Sequence, residues 1–220
     1  EEEFCEGCGT GQLRKLINTL INKLVIVRED LNISNINENS TDKKFVVVGE
    51  SGTILTSSNG KLWIPRDSGS KNLLYNVTYG RDMYVTVGMY GTILTSKDGT
   101  FWNKQTSGTN SLLLDIIFKR DKFTIVGGEI INSINGSKWE INKNIINDLL
   151  FGITYGNKKY VTVGLKGTIH SSLDGINWLN RKKPSSDLIV DVVYGNEIFI
   201  TIGNSKKIFT SKDGIKWIPI

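Results

Sequence analysis

Five tryptophans, Trp63, Trp102, Trp139, Trp178 and Trp217, stand 39, 37, 39 and 39 residues apart, and each closes the same short pattern. Four residues before each Trp is an Asp or Asn followed by Gly, and two residues before that is Ser. The copies run Ser57 to Trp63, Ser96 to Trp102, Ser133 to Trp139, Ser172 to Trp178 and Ser211 to Trp217, with Asn59, Asp98, Asn135, Asp174 and Asp213 at the acidic or amide position. A period of this length is the mark of a repeat architecture, and it governs every later assignment.

Around each copy the apolar residues alternate in short runs. The second repeat has Leu73 to Tyr79, Met83 to Val87, Thr92 to Ser96 and Phe101 to Thr106, divided by turns at 79–82, 88–91 and 97–99. Four strands in about 39 residues make an antiparallel meander, the size of one β-propeller blade, and such a unit cannot bury both faces alone. Composition agrees, since 28 Ile and no Ala favour strands over helices. The fold expected is all-β: a five-bladed propeller of four-stranded antiparallel blades over residues 31–220, with a short helical extension over 1–30. The innermost strand of the first blade then has to come from 31–39, a polar stretch with little pattern. An open arc completed by another chain is the alternative to a closed ring of five.

The repeated segment has a structural reading. Asp or Asn accepts backbone hydrogen bonds within its own turn, Gly takes the positive φ, and Trp packs between neighbouring sheets. In these residues the chain resembles the Asp-box, or BNR repeat, of sialidases, sortilin-type receptors and the photosystem II assembly factor family, in a shortened form with one residue fewer between Asp and Gly. The resemblance covers about residues 31–220. It implies a propeller and says little of function, because Asp-boxes sit away from active sites in the families that carry them.

In a propeller of this topology the Asp-box turns crowd one face. The other face is built from turns between second and third strands: Glu50 and Ser51, Met89 and Tyr90, Gly128 and Glu129, Leu165 and Lys166, Asn204 and Ser205. Binding residues are expected there, on loops held by a rigid scaffold. Glu50, Ser51, Met89, Tyr90, Glu129, Lys166 and Asn204 are the candidates, with Tyr90 as the aromatic platform. The longer connections at 67–72, 107–111, 144–148 and 182–187 are rich in Ser, Asn, Gly and Thr, which suits a hydroxyl-rich ligand and equally suits any solvated loop.

Catalysis finds little support. A sialidase-type site needs three converging arginines, and of Arg14, Arg28, Arg66, Arg81, Arg120 and Arg181 none falls in an inner strand of the pattern. The single histidine, His170, reads as a strand residue. Asp115 and Asp191, in the inner strands of blades three and five, are either paired carboxylates in the bore or groups binding channel water. No cofactor motif is present.

Residues 1–30 differ. Leu13, Ile17, Leu20, Leu24, Val27 and Leu31 step by 4, 3, 4, 3 and 4, the spacing of an amphipathic or coiled-coil helix from about residue 11 to 30. Such a helix either packs on its own propeller or joins copies into an oligomer or larger assembly. Cys5 and Cys8 supply half of a zinc site, so a metal requires two chains to share it; a local disulfide or free thiols are the simpler readings. The net charge of +5 lacks a concentrated basic stripe, which argues against nucleic acid, and no run is long enough for a membrane-spanning helix. The start Glu1-Glu2-Glu3 does not resemble a signal peptide. The function expected is a non-catalytic binding head that recognises a cell-surface glycan or a protein, located outside the cell, at a cell surface or on a phage-tail-like particle. An assembly factor that binds another protein is the alternative, and a glycoside hydrolase the remote one.

Overall fold

The computed structural model describes residues 25–27, 44–142, 148–204 and 208–220. They form five four-stranded antiparallel sheets, each a meander of consecutive strands. The first holds β1 (Val25–Val27), β2 (Phe45–Val48), β3 (Ile54–Ser57) and β4 (Ile64–Arg66). The second holds β5 (Leu74–Gly80), β6 (Met83–Gly88), β7 (Ile93–Ser96) and β8 (Asn103–Gln105). The third holds β9 (Leu113–Lys119), β10 (Lys122–Gly127), β11 (Ile131–Ser133) and β12 (Glu140–Ile141). The fourth holds β13 (Leu150–Gly156), β14 (Lys159–Gly164), β15 (Ile169–Ser172) and β16 (Leu179–Asn180). The fifth holds β17 (Ile189–Gly195), β18 (Ile198–Gly203), β19 (Phe209–Ser211) and β20 (Ile218–Pro219).

The first blade corrects the sequence expectation. Its inner strand is Val25–Val27, with Val25, Ile26 and Val27 opposite Val48, Val47 and Val46, and not the segment 31–39. The helix expected over 11–30 therefore does not run through residues 25–27, and the sheet region begins before residue 31. Three β-branched residues in a row are stiff at χ1 and suit a pleated strand better than a helix, and the edge of β2 offers them a ladder. Cys5, Cys8 and the rest of the expected helix lie outside the described residues.

The five Trp turns share one hydrogen-bonding scheme. The Ser hydroxyl accepts from the Gly N–H at 2.8–2.9 Å in all five copies. One oxygen of Asn59, Asp98, Asn135, Asp174 or Asp213 accepts from the N–H groups two and three residues on, at 2.8–3.0 Å. The glycine carries φ between +66° and +73°, a region that side chains with a Cβ disfavour. This geometry delivers each Trp onto the aromatic residue that opens or follows the start of the second strand: Phe45, Tyr84, Phe123, Tyr160 or Phe199, at centroid distances of 6.0–6.5 Å.

Sheet packs on sheet. Trp102 lies with Val46, Val48 and Ile54 of the preceding blade, Trp139 with Val85, Val87 and Ile93, Trp178 with Val126 and Ile130, and Trp217 with Val161, Val163 and Ile169. Each of these four rings is thus packed between its own sheet and the one before it. The Tyr84 hydroxyl donates to the Lys44 carbonyl at 2.8 Å and that of Tyr160 to the Lys119 carbonyl at 2.8 Å, whereas Phe123 and Phe199 have no hydroxyl to offer. Basic side chains add a second tie: Lys44 reaches Thr100, Lys122 the Asp174 carbonyl and Lys159 the Asp213 carbonyl, always in the next blade. Met83 stands at the same place in blade two and lies against Gly136.

Two outcomes test this account. Gly156 sits under Tyr194 of the next blade, and a Cβ there would come within 2.0 Å of the ring. Gly156→Ala is therefore expected to lower stability by about 1–3 kcal/mol in urea titration, the range for an overpacked core. The second outcome concerns acid. At Asp174 slight burial works upward, but the Asn177 and Ile176 N–H groups, the Asn177 amide and the Ser172 hydroxyl outweigh it and hold the carboxyl below its ordinary range. Asp98 and Asp213 are lowered by the same balance, with Lys44 and Lys159 helping. A carboxyl held low in the fold contributes stability above about pH 4 that is lost as pH falls through the folded value. The urea midpoint of Asp174→Asn, which reproduces the residue found at 59 and 135, is expected to fall less steeply below about pH 4 than that of the parent; parallel profiles would contradict the assignment.

Candidate functional site

The face opposite the Trp turns is organised by a bulge in the first strand of each of blades two to five. The register slips between Leu74 and Asn76, Gly127 and Val126 (opposite Leu113 and Asp115), Leu150 and Gly152, and Ile189 and Asp191. One extra residue per strand is re-aimed. In three blades it is Tyr75, Leu114 and Phe151, which meet with Leu73 in one buried cluster, and Met89, Leu112, Leu149, Leu165 and Leu188 pack around it. The pole of the molecule on this face is therefore an apolar plug with an apolar collar, a feature the sequence reading missed.

The second-to-third turns stand close to that collar because the glycines before them permit it. A Cβ on Gly88, Gly127, Gly164 or Gly203 would come within 2.0–2.2 Å of the carbonyl oxygen of Leu73, Leu112, Leu149 or Leu188. The next N–H donates to that same oxygen at 2.9–3.1 Å, from Met89, Gly128, Leu165 and Asn204.

Three turns share a tight helical form, Glu50–Gly52, Met89–Gly91 and Leu165–Gly167, in which Ser51, Tyr90 and Lys166 all have φ +54°. That left-handed residue projects into solvent in each blade, and Tyr90 is 58% exposed. The preceding residue differs: Met89 and Leu165 lean onto the plug, whereas Glu50 is exposed. Glu129 is half-buried, and its Oε2 has no hydrogen-bond partner among the described residues. Asn204 is exposed, and Ser205 lies outside the described residues. The candidates thus share a face, and Met89, Tyr90 and Leu165 border the apolar pole most directly. Beneath them the Tyr75 hydroxyl is sealed without a partner among the described residues, and burial, then the nearby Tyr90, pushes its pKa up to about 12.

The polar loops on this face are largely occupied with one another. Asp67 accepts from the Gly69 N–H at 2.9 Å, Asn72 donates to Thr92 at 2.8 Å, Thr168 to Asp148 at 2.7 Å and Ser185 to Asp187 at 2.6 Å. These Ser, Asn and Thr side chains hold the connections in place, which leaves them less available to an outside hydroxyl than their composition suggests.

In the bore, Asp115 accepts from the Ile116 N–H and from the Ile153 N–H of the next blade, both at 2.8 Å, and from the Asn76 amide of the preceding one. Asp191 accepts from the Val192 N–H at 2.8 Å and packs against the Gly152 backbone. The structure thus gives Asp115 a bridging role across three blades. Arg66 and Arg181 donate to Thr56 and Ser171 on their own sheets, each at 2.8 Å, and Arg120 to the Leu173 carbonyl at 2.8 Å. These three arginines are committed at separate places and do not converge. No group of three or more His, Cys, Asp or Glu side chains suited to a metal occurs among the described residues. No helix among them is long and apolar enough to cross a membrane.

No protein-family model matches the sequence, and neither does any curated protein. Solved structures do match in fold. One is YCF48 bound to a D1 peptide, 18% identical with a TM-score of 0.61, over 80% of this chain and 63% of that one. YCF48 from Cyanidioschyzon merolae is 15% identical with a TM-score of 0.64, over 88% of this chain and 68% of that one. This chain has the β-propeller fold. A GH74 enzyme from Niastella koreensis matches with a TM-score of 0.58 at 16% identity, over 80% of this chain and only 29% of that one. The propeller here spans less than two thirds of the first of these chains, and at such identities the likeness concerns fold alone.

His170 remains. It lies on β15 opposite Thr162, at the register position that Leu94 holds opposite Thr86, and it is buried with Nδ1 unpartnered among the described residues. Burial lowers its pKa foremost; Asp148 pulls upward, Lys183 pushes down, and the net shift is downward. The fold accommodates the neutral ring, so stability present above about pH 6.5 is lost as pH falls through the folded value. His170→Leu is expected to raise the thermal midpoint, and to raise it more at pH 5 than at pH 7.5. An equal effect at both pH values would contradict a buried neutral imidazole.

Proposed function

We propose that this chain is a non-catalytic binding propeller that takes an apolar segment of a partner protein on the pole opposite the Trp turns. The observation that carries the reading is the half-buried collar of Met89, Leu112, Leu149, Leu165 and Leu188 around the Leu73, Tyr75, Leu114 and Phe151 plug. Apolar side chains gathered at one pole, bordered by an exposed Tyr90 and polar turns, have the composition of a recognition surface with a hydrophobic centre and polar rim. The YCF48 structure with its bound peptide is a protein of this fold engaged with a peptide, which supports the class of partner and not its identity. The Ser-x-Asp/Asn-Gly-x-x-Trp turns, read as Asp-boxes, serve the scaffold on the far side. A glycan head is the second reading. It rests on the exposed Tyr90 ring as a stacking platform and is weakened by the internal commitment of the loop hydroxyls.

Binding of an array of apolar peptides, followed by fluorescence anisotropy, separates the two. Leu112→Lys and Met89→Lys are each expected to weaken peptide binding at least about tenfold, the equivalent of about 1.4 kcal/mol. Lys216→Ala, in a Trp turn on the opposite face, should leave it unchanged. If no peptide binds while a glycan array does, and Tyr90→Ala abolishes that signal, the protein-binding reading is wrong and the glycan reading stands.

A further inference from the structure

The fifth blade has an open flank. In β6, Val85 and Val87 face blade three and are 0% exposed, as is Ile93 of β7. In the fourth blade the same places hold Val161, Val163 and Ile169, again 0% exposed and covered by blade five. By strand register, the corresponding residues of blade five are Ile200, Ile202 and Ile208. Here Ile202 is 53% exposed and Ile208 40%, and their neighbour Val193 is 54% exposed. The glycines agree. Gly80 lies against Phe118 and Gly156 against Tyr194 of the blade that follows, whereas Gly195 has nothing within 4 Å of where its Cβ would stand.

The opposite half of such a junction is also present on the chain. At the first junction the leading face of blade two presents the third-strand Leu94 and Trp102 against blade one. Leu94 is 1% exposed, while Leu55, at the same register position in the first blade, is only half-buried. Among the described residues no sheet contains strands from both ends of the chain, and no apolar core joins blade five to blade one.

We propose that the Val193, Ile200, Ile202 and Ile208 flank receives the first blade of a second copy of this chain, head to tail. The apolar chemistry that seals four junctions inside one chain then seals a fifth between chains. Their complementarity is that of the first internal junction, Val and Ile on one side against Leu and Trp on the other. The contact is heterologous, so each added copy leaves one leading and one trailing face free, and association continues beyond two unless a ring closes. It does not depend on the pole proposed to bind a partner.

The test uses the full 220-residue chain. Light scattering over a concentration series is expected to show the mass rising from one chain's 24.5 kDa to at least twice that. Ile202→Lys, placed on an already exposed side chain, is expected to raise the dissociation constant at least tenfold without lowering the thermal midpoint. Two further variants, Leu55→Cys and Ile202→Cys, each also carrying Cys5→Ser and Cys8→Ser, are expected to form a disulfide-linked pair when mixed and none when kept apart. A monomer at every concentration overturns the proposal, as does linkage within the Ile202→Cys variant alone, which indicates face-to-face pairing. A chain carrying both cysteines that links to itself overturns it as well, because the ring then closes on its own first blade.

Discussion

A four-stranded sheet with apolar residues on both faces is stable only when something covers each face, and this structure has no helical layer among its described residues to do so. Other sheets are the cover. Val85, Val87 and Ile93 are buried because blade three lies over them, and Tyr84 and Leu94 because blade one does. Every interior side chain thus depends on the pitch between sheets, and the pitch depends on turns that repeat their geometry. The Ser, Asp or Asn and Gly of each Trp turn supply that uniformity, with two backbone N–H groups held by one side-chain oxygen in all five copies.

The same requirement separates scaffold from site. The Trp turns are constrained residue by residue, so variation there is confined to the choice between Asn and Asp and to the exposed positions between. On the far pole close backbone approach demands the glycine before the second-to-third turn in blades two to five, and Gly52, Gly91 and Gly167, which close three of these turns. The residue that opens each turn varies from Glu50 to Met89, Gly128, Leu165 and Asn204, and chemistry accumulates where packing does not dictate it.

Much of the fold was legible because turn chemistry needs fixed residue types at fixed spacing, which is why Asn59 to Trp63 and its four relatives located every blade. The candidate turns followed from strand counting, and Met89, Tyr90 and Leu165 do stand beside the apolar pole. The plug itself was not read. Its signal was a break in alternation, the adjacent apolar pairs Leu74-Tyr75, Leu113-Leu114, Leu150-Phe151 and Ile189-Val190, which mark a one-residue bulge and not a longer buried strand. The inner strand at Val25–Val27 was missed for another reason: Leu24 and Val27 fall by coincidence on a heptad spacing, and that period concealed a β-branched run.

The junctions between blades are of two kinds. Lys44, Lys122 and Lys159 cross the first, third and fourth seams to a hydroxyl or carbonyl of the next blade. At the second seam Met83 replaces the lysine and Phe123 replaces a hydroxyl-bearing Tyr84 or Tyr160. On that rim the seam is held by dispersion and water exclusion, which weaken on cooling and strengthen with sulfate. Its neighbours carry donors whose hold is electrostatic and is screened by salt. Cold and ionic strength therefore act on different ties along this rim, while toward the inner strands the second seam keeps a polar tie of its own, the Asn76 amide on Asp115.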